Sequence, residues 1–94
     1  MLIRVVRMEF DPNKINDFLE IFHKSEDLIK NAEGCMDVQL KKDPRLSNVF
    51  YTHSIWKSEE DLNRYRNSDF FSETWGATKK HFNGKPQAFS LVDP

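Results

Sequence analysis

Cysteine is almost missing. Cys35 stands alone among 94 residues, so no internal disulfide can form and no cysteine-rich metal site can be built. A single thiol fits a reducing cytoplasm. Long hydrophobic runs are missing too: no apolar stretch approaches the roughly 20 residues that a membrane helix needs. The opening MLIRVVRMEF carries arginines inside its apolar residues and lacks a small-residue cleavage site, so it reads as a strand and not as a signal peptide. Nor is there an excess of one charge. Against 14 Lys and Arg stand 15 Asp and Glu, for a net charge of −1. Without a basic stripe, nucleic acid is not an expected partner. There are no repeats, low-complexity tracts or linkers, so residues 1–94 are expected to form one domain. A chain of this size buries only about 60–65% of its unfolded surface, and so thin a core gains from oligomerisation.

What the chain does have is a concentration of aromatic side chains between Val49 and Phe82. Both Trp residues, Trp56 and Trp75, fall there, beside Tyr51, Tyr65, Phe70 and Phe71. Such a concentration either lines a flat apolar pocket or is the core of a small domain. Much of the functional question is the choice between those two.

Hydrophobic periodicity sets the expected elements. Leu2 to Phe10 is β-branched and partly alternating, a first strand. Asp11-Pro12 is a helix-start signal. Ile15, Phe18, Leu19, Phe22 and Ile29 then recur at helical spacing, and Gly34 reads as the glycine that ends this helix. Cys35 to Lys42 alternates with Met36, Val38 and Leu40 on one side. A polar turn follows, and Val49 to Lys57 is the antiparallel partner strand. Ser58 opens a helix with Glu59, Glu60 and Asp61 in its first turn, which is charge placed for the helix dipole. Asn67-Ser68 breaks that helix. Phe71, Trp75, Thr78 and Phe82 form the next stripe, and Asn83 to Pro86 stops it. Gln87 to Val92 is a last strand.

The order is β-α-β-β-α-β with its second helix in two pieces. That is an α+β fold, a ferredoxin-like sandwich with helices on one face of an antiparallel sheet. Strands one and three carry apolar residues on both faces: Ile3, Val5, Val49 and Ile55 oppose Leu2, Val6, Phe50 and Trp56. A sheet with one face in water would alternate more cleanly. The second face is therefore expected to be buried in a homodimer, two sheets packed face to face.

These elements, with the run from Phe50 to Glu60 followed by Tyr65 and Ser68-Asp69-Phe70-Phe71, resemble the antibiotic biosynthesis monooxygenase family, a group of dimeric α/β barrels. Gly34 before strand two fits as well. The resemblance spans essentially the whole chain. It implies the fold and the dimer more strongly than an activity, since members include cofactor-free monooxygenases of polyphenols and quinols, haem-degrading enzymes and isomerase-like relatives. The haem-degrading branch fits poorly. By the same match its haem-ligating His falls at Trp75, its pocket Trp falls at Tyr65, and its strand-one Asn has no counterpart. An indole N–H only donates and cannot ligate iron.

The resemblance directs attention to residues that could hold a flat phenol without a cofactor. Trp75, Phe71 and Phe22 are expected to form the slot, with Phe18, Tyr65 and Phe82 as further wall candidates. Ordinary core packing is the alternative for each. His53 or Tyr51 would supply the polar contact to a phenolic proton. The alternative for His53 is a place on the dimer or surface face of strand three. Arg4 or Arg7 could hold an oxyanion, although exposure at the sheet edge or a pair with Glu9 is the simpler expectation. His23, His53 and His81 do not have a ligand spacing, so no metal is expected. The expected activity is that of a cofactor-independent monooxygenase acting on a small aromatic molecule. A non-catalytic dimeric binding protein using the same pocket is the alternative.

Overall fold

A computed structural model describes residues 1–94. Its elements are β1 (Leu2–Glu9), α1 (Ile15–Lys30), β2 (Cys35–Lys42), β3 (Val49–Trp56), α2 (Glu59–Arg66), α3 (Asp69–Lys79) and β4 (Gln87–Leu91). The four strands form one sheet in the order β2-β3-β1-β4, and every neighbouring pair is antiparallel. This is the expected ferredoxin-like α+β sandwich, with β1 in the interior of the sheet.

Register assigns every strand residue to a face, because side chains alternate along a strand. Leu2, Arg4, Val6 and Met8 of β1 lie opposite Trp56, Ser54, Thr52 and Phe50 of β3. The buried members of this set, Leu2, Met8, Phe50, Ser54 and Trp56, place it under the helices. Ile3, Val5 and Arg7 pair with Ile55, His53 and Tyr51, which belong to the open face.

Under the helices the core is in two pieces. Met8, Phe10, Phe18, Phe22, Val38 and Phe50 form one cluster. Leu2, Trp56 and Leu62 form the other. Phe10 stacks on Phe18 with ring centroids 4.0 Å apart. Trp56 is only 1% exposed, and its indole N–H donates to Ser54 Oγ at 2.9 Å, so this tryptophan is core.

Several boundaries differ from the sequence reading. Asp11-Pro12 does not start α1. The Asp11 carboxylate accepts from the Asn13 N–H at 2.9 Å in a local turn, and the helix begins at Ile15. Gly34 does not end α1, which stops at Lys30. Its φ of +83° instead turns the chain into β2, a conformation that suits glycine. Met36 does not share a face with Val38. A bulge between Cys35 and Asp37 leaves Met36 52% exposed, since an extra residue interrupts the alternation. Phe82 lies past the end of α3 and bridges to Phe10 as an isolated β-pair.

Candidate functional site

The two core clusters do not meet completely. Between them lies a cavity of about 200 Å³, enclosed by the sheet, α1, α2 and α3. Helical spacing aims the side chains that wall it. On α1, Phe18, Phe22 and Ser25 are buried and line it. On α3, Phe71 and Trp75 are four apart, so they sit above one another on one face. Their rings are near-parallel, 14° apart in plane with centroids at 6.0 Å.

The start of α3 is held to the end of α2. The Ser68 hydroxyl donates to the Tyr65 carbonyl at 2.6 Å and accepts from the Phe71 N–H at 3.1 Å. That bracket sets Tyr65 against Phe71, with centroids 5.2 Å apart and rings at 73°. On its other side Tyr65 meets Trp56 at 5.0 Å. Thus Trp56, Tyr65, Phe71 and Trp75 make a continuous aromatic wall.

The structure brings Trp75, Phe71, Phe22, Phe18 and Tyr65 together around this cavity. It leaves Phe82 behind the wall, edge-on to Trp75 at 5.5 Å. His53 and Tyr51 are not brought to it. Both sit on the open face of β3, opposite Val5 and Arg7 of β1, and the sheet separates them from the cavity. The Tyr51 hydroxyl donates to Asp43 Oδ2 at 3.1 Å. The Asp43 carboxyl is held below its ordinary range mainly by the N–H groups of Leu46 and Arg45, with Tyr51 adding to them. A polar contact from His53 or Tyr51 to a ligand in the cavity is therefore not available in this chain.

The polar groups at the cavity are different ones: Arg4, Arg66, Tyr65 and the hydroxyls of Ser25, Thr52, Ser54, Thr74 and Thr78. Arg4 is not at a sheet edge, because β1 is flanked by β3 and β4. It shares strand parity with Leu2, Val6 and Met8, and that shared parity was the available sign that it turns inward. Its Nη1 donates to Ser90 Oγ on β4 at 2.9 Å. Burial first, and the nearby Arg66 second, push the Arg4 guanidinium below its ordinary value. Arg66 is exposed at the end of α2, and its side in the sequence gave no cue beyond its place after Tyr65. Burial pushes the Tyr65 phenol up to about 12, so at neutral pH it is a donor and not a base. No group of three or more His, Cys, Asp or Glu that could hold a metal ion comes together in the chain. No helix is long and apolar enough to cross a membrane.

A helix-covered antiparallel sheet with a mostly apolar cavity beneath the helices, lined in part by two arginines, defines an α+β sandwich domain. The chain belongs to the antibiotic biosynthesis monooxygenase family, whose profile matches residues 1–76. Solved structures agree on the fold. A conserved protein from Methanosarcina mazei Go1 superposes with a TM-score of 0.93 at 20% identity, covering 100% of this chain and 94% of that one. A structure described as an antibiotic biosynthesis monooxygenase gives 0.92 at 14% identity, covering 100% and 99%. A protein of the same family name from Caulobacter crescentus CB15 gives 0.90 at 22% identity, covering 96% and 86%. At these identities the likeness is one of fold. No curated protein matches the chain significantly.

Proposed function

We propose that this chain is a cofactor-independent monooxygenase that oxidises a flat, electron-rich phenol or quinol with O₂. The observation that carries the reading is the aromatic wall of Trp56, Tyr65, Phe71 and Trp75 around a mostly apolar cavity, in a member of this family. An apolar cavity of about 150 Å³ holds benzene, so one of about 200 Å³ suits one or two fused rings. In such a reaction the deprotonated ring gives an electron to O₂, and the two radicals combine at a ring carbon. The peroxide anion so formed takes a proton back from solvent, and the hydroperoxide, on a carbon that still bears hydrogen, loses water to leave a carbonyl. One oxygen enters the product, the other leaves in water, and the substrate supplies every electron. The chain would contribute positioning and exclusion of water. The Tyr65 phenol would donate to the ring oxygen. Arg4 and Arg66 would favour the deprotonated ring electrostatically.

The cavity lining contains no histidine or carboxylate, so the phenolic proton must leave to solvent. That same lack favours the second reading, a small-molecule-binding protein with no turnover. Oxygen uptake by the metal-free protein with naphthols and one- or two-ring quinols separates the two. The monooxygenase reading expects uptake above the uncatalysed rate and its loss in Trp75→Ala. Saturable binding of those compounds with no uptake would favour the second reading.

The homodimer belongs to this reading as well. Proteins of this family are generally dimeric, and Ile3, Val5, Ile55, Phe89 and Leu91 make the open face of this sheet apolar.

A further inference from the structure

Two arginines line the cavity, Arg4 and Arg66, and no carboxylate of the chain pairs with either. The ion pairs of the molecule join Lys24 to Glu20, Lys30 to Glu26, and Arg64 to Glu33 and Asp61, with His23 near Glu26. Arg4 and Arg66 take part in none of them, yet both line the cavity. Arg4 is half-buried, and its only side-chain hydrogen bond is to the neutral Ser90 hydroxyl. Two like charges close enough to feel one another, beside apolar surface, are costly unless something balances them. Both residues line the one cavity, and after burial it is Arg66 that pushes the Arg4 guanidinium below its ordinary value. Arg66 is exposed, so water reaches the lining beside it, whereas Phe18, Phe22 and Trp56 of the same lining are buried.

We infer that the ligand of this cavity is an aromatic carboxylate, with its ring in the slot and its carboxylate held by Arg4 and Arg66. The inference rests on the aromatic-slot reading above and narrows the substrate from any phenol or quinol to one that carries an acid group on the ring. A guanidinium is a planar fork that matches both oxygens of a carboxylate. A permanent anion is also best kept beside exposed Arg66, where water shares its solvation. The rest of the lining offers the ring Phe, Trp, Tyr, Met and aliphatic contacts beside a few hydroxyls. Charge and ring are then adjacent, as they are in an aryl acid.

The test is calorimetric titration of the intact protein with 2-naphthoate and 2-naphthamide, which share a ring and differ in charge. The acid should bind about tenfold or more tightly than the amide at low salt, the scale of a charged hydrogen bond. That preference should shrink as salt is raised, because Arg66 is exposed to screening. Arg4→Gln and Arg66→Gln should each reduce the preference for the acid over the amide. Arg66 is on the surface, so its variant stays readable even if Arg4→Gln does not fold. Equal affinity for acid and amide, or a preference that survives Arg66→Gln, overturns the inference and leaves the aromatic slot standing. Failure of both compounds to bind overturns the slot itself and the inference with it.

Discussion

Tyr65 links the core to the cavity at the scale of one residue. It packs between Trp56 and Phe71, and burial, with a smaller effect from Cys35, raises its phenol from 10.0 to about 12. The folded protein therefore holds this proton more tightly than the unfolded chain does. The corresponding stabilisation is complete below the unfolded value and is lost as pH rises through the folded one, here between 10.0 and about 12. Its size is on the order of 1–3 kcal/mol. In urea unfolding across that window, the wild type should lose stability more steeply than Tyr65→Phe. Parallel curves for the two proteins would mean that the Tyr65 proton is not held by folding. The same scale explains what was legible in the chain. Phe71 and Trp75 declared their shared face through helical spacing. His53 did not declare its face, because a strand with apolar residues on both sides has no sequence mark of which side is inward. Only the register, Val5 opposite His53, decides it. Arg4 could have been read from its parity with Leu2, Val6 and Met8, but arginine's usual exposure argued the other way.

At the scale of elements, the joint between α2 and α3 is the part of the fold that positions the wall. Both helices start on a serine cap. Ser58 Oγ accepts from the Asp61 N–H at 3.1 Å and donates to Asp61 Oδ2 at 3.0 Å. This departs from a capping box, in which the third-position side chain reaches the cap's backbone N–H. Ser68 has the second task of tying the last turn of α2 to the first of α3, through Tyr65 and Phe71. Ser68→Ala removes both bonds and should destabilise the protein by about 1–2 kcal/mol, measured by urea unfolding. Ligand affinity should fall as well, because two wall residues lose their common anchor. A loss of stability with affinity intact would show that the wall is held by packing alone. The serine signal at Ser58 was plain in the chain and Ser68 was marked as a break, whereas the ends of α1 were not legible. Asp11 and Gly34 are terminus-type residues used here for a turn and for the entry to β2. Such residues satisfy several backbone geometries, and only the tertiary path selects one. The β2 bulge left no mark either, since Met36, Val38 and Leu40 alternate perfectly until an inserted residue shifts the phase.

For the whole molecule, the open face of the sheet is the dominant feature. All of β4 is exposed, with Phe89 at 51% and Leu91 at 52%. Phe89 pairs with Val5, and Leu91 pairs with Ile3, which pairs in turn with Ile55, so an apolar band crosses the sheet from β4 to β3. A face of this kind on a chain with so small a core is suited to a second copy, sheet against sheet, over the roughly 1,600 Å² of a standard stable interface. On that arrangement His53 and Tyr51 are interface residues, which agrees with their separation from the cavity. The expected outcome is a dimer at micromolar concentration by sedimentation equilibrium. Phe89→Asp should be a folded monomer, because position 89 is solvent-facing in the isolated chain and a charge there costs little until a partner tries to cover it. Folding and association are then linked: whatever binds the native state alone raises its stability with concentration. The thermal midpoint of the wild type should climb as protein concentration is raised, while that of Phe89→Asp should stay fixed. A wild-type midpoint that does not move with concentration, together with a monomeric mass, would mean that the apolar band is an ordinary solvated surface and that this thin core holds the fold on its own.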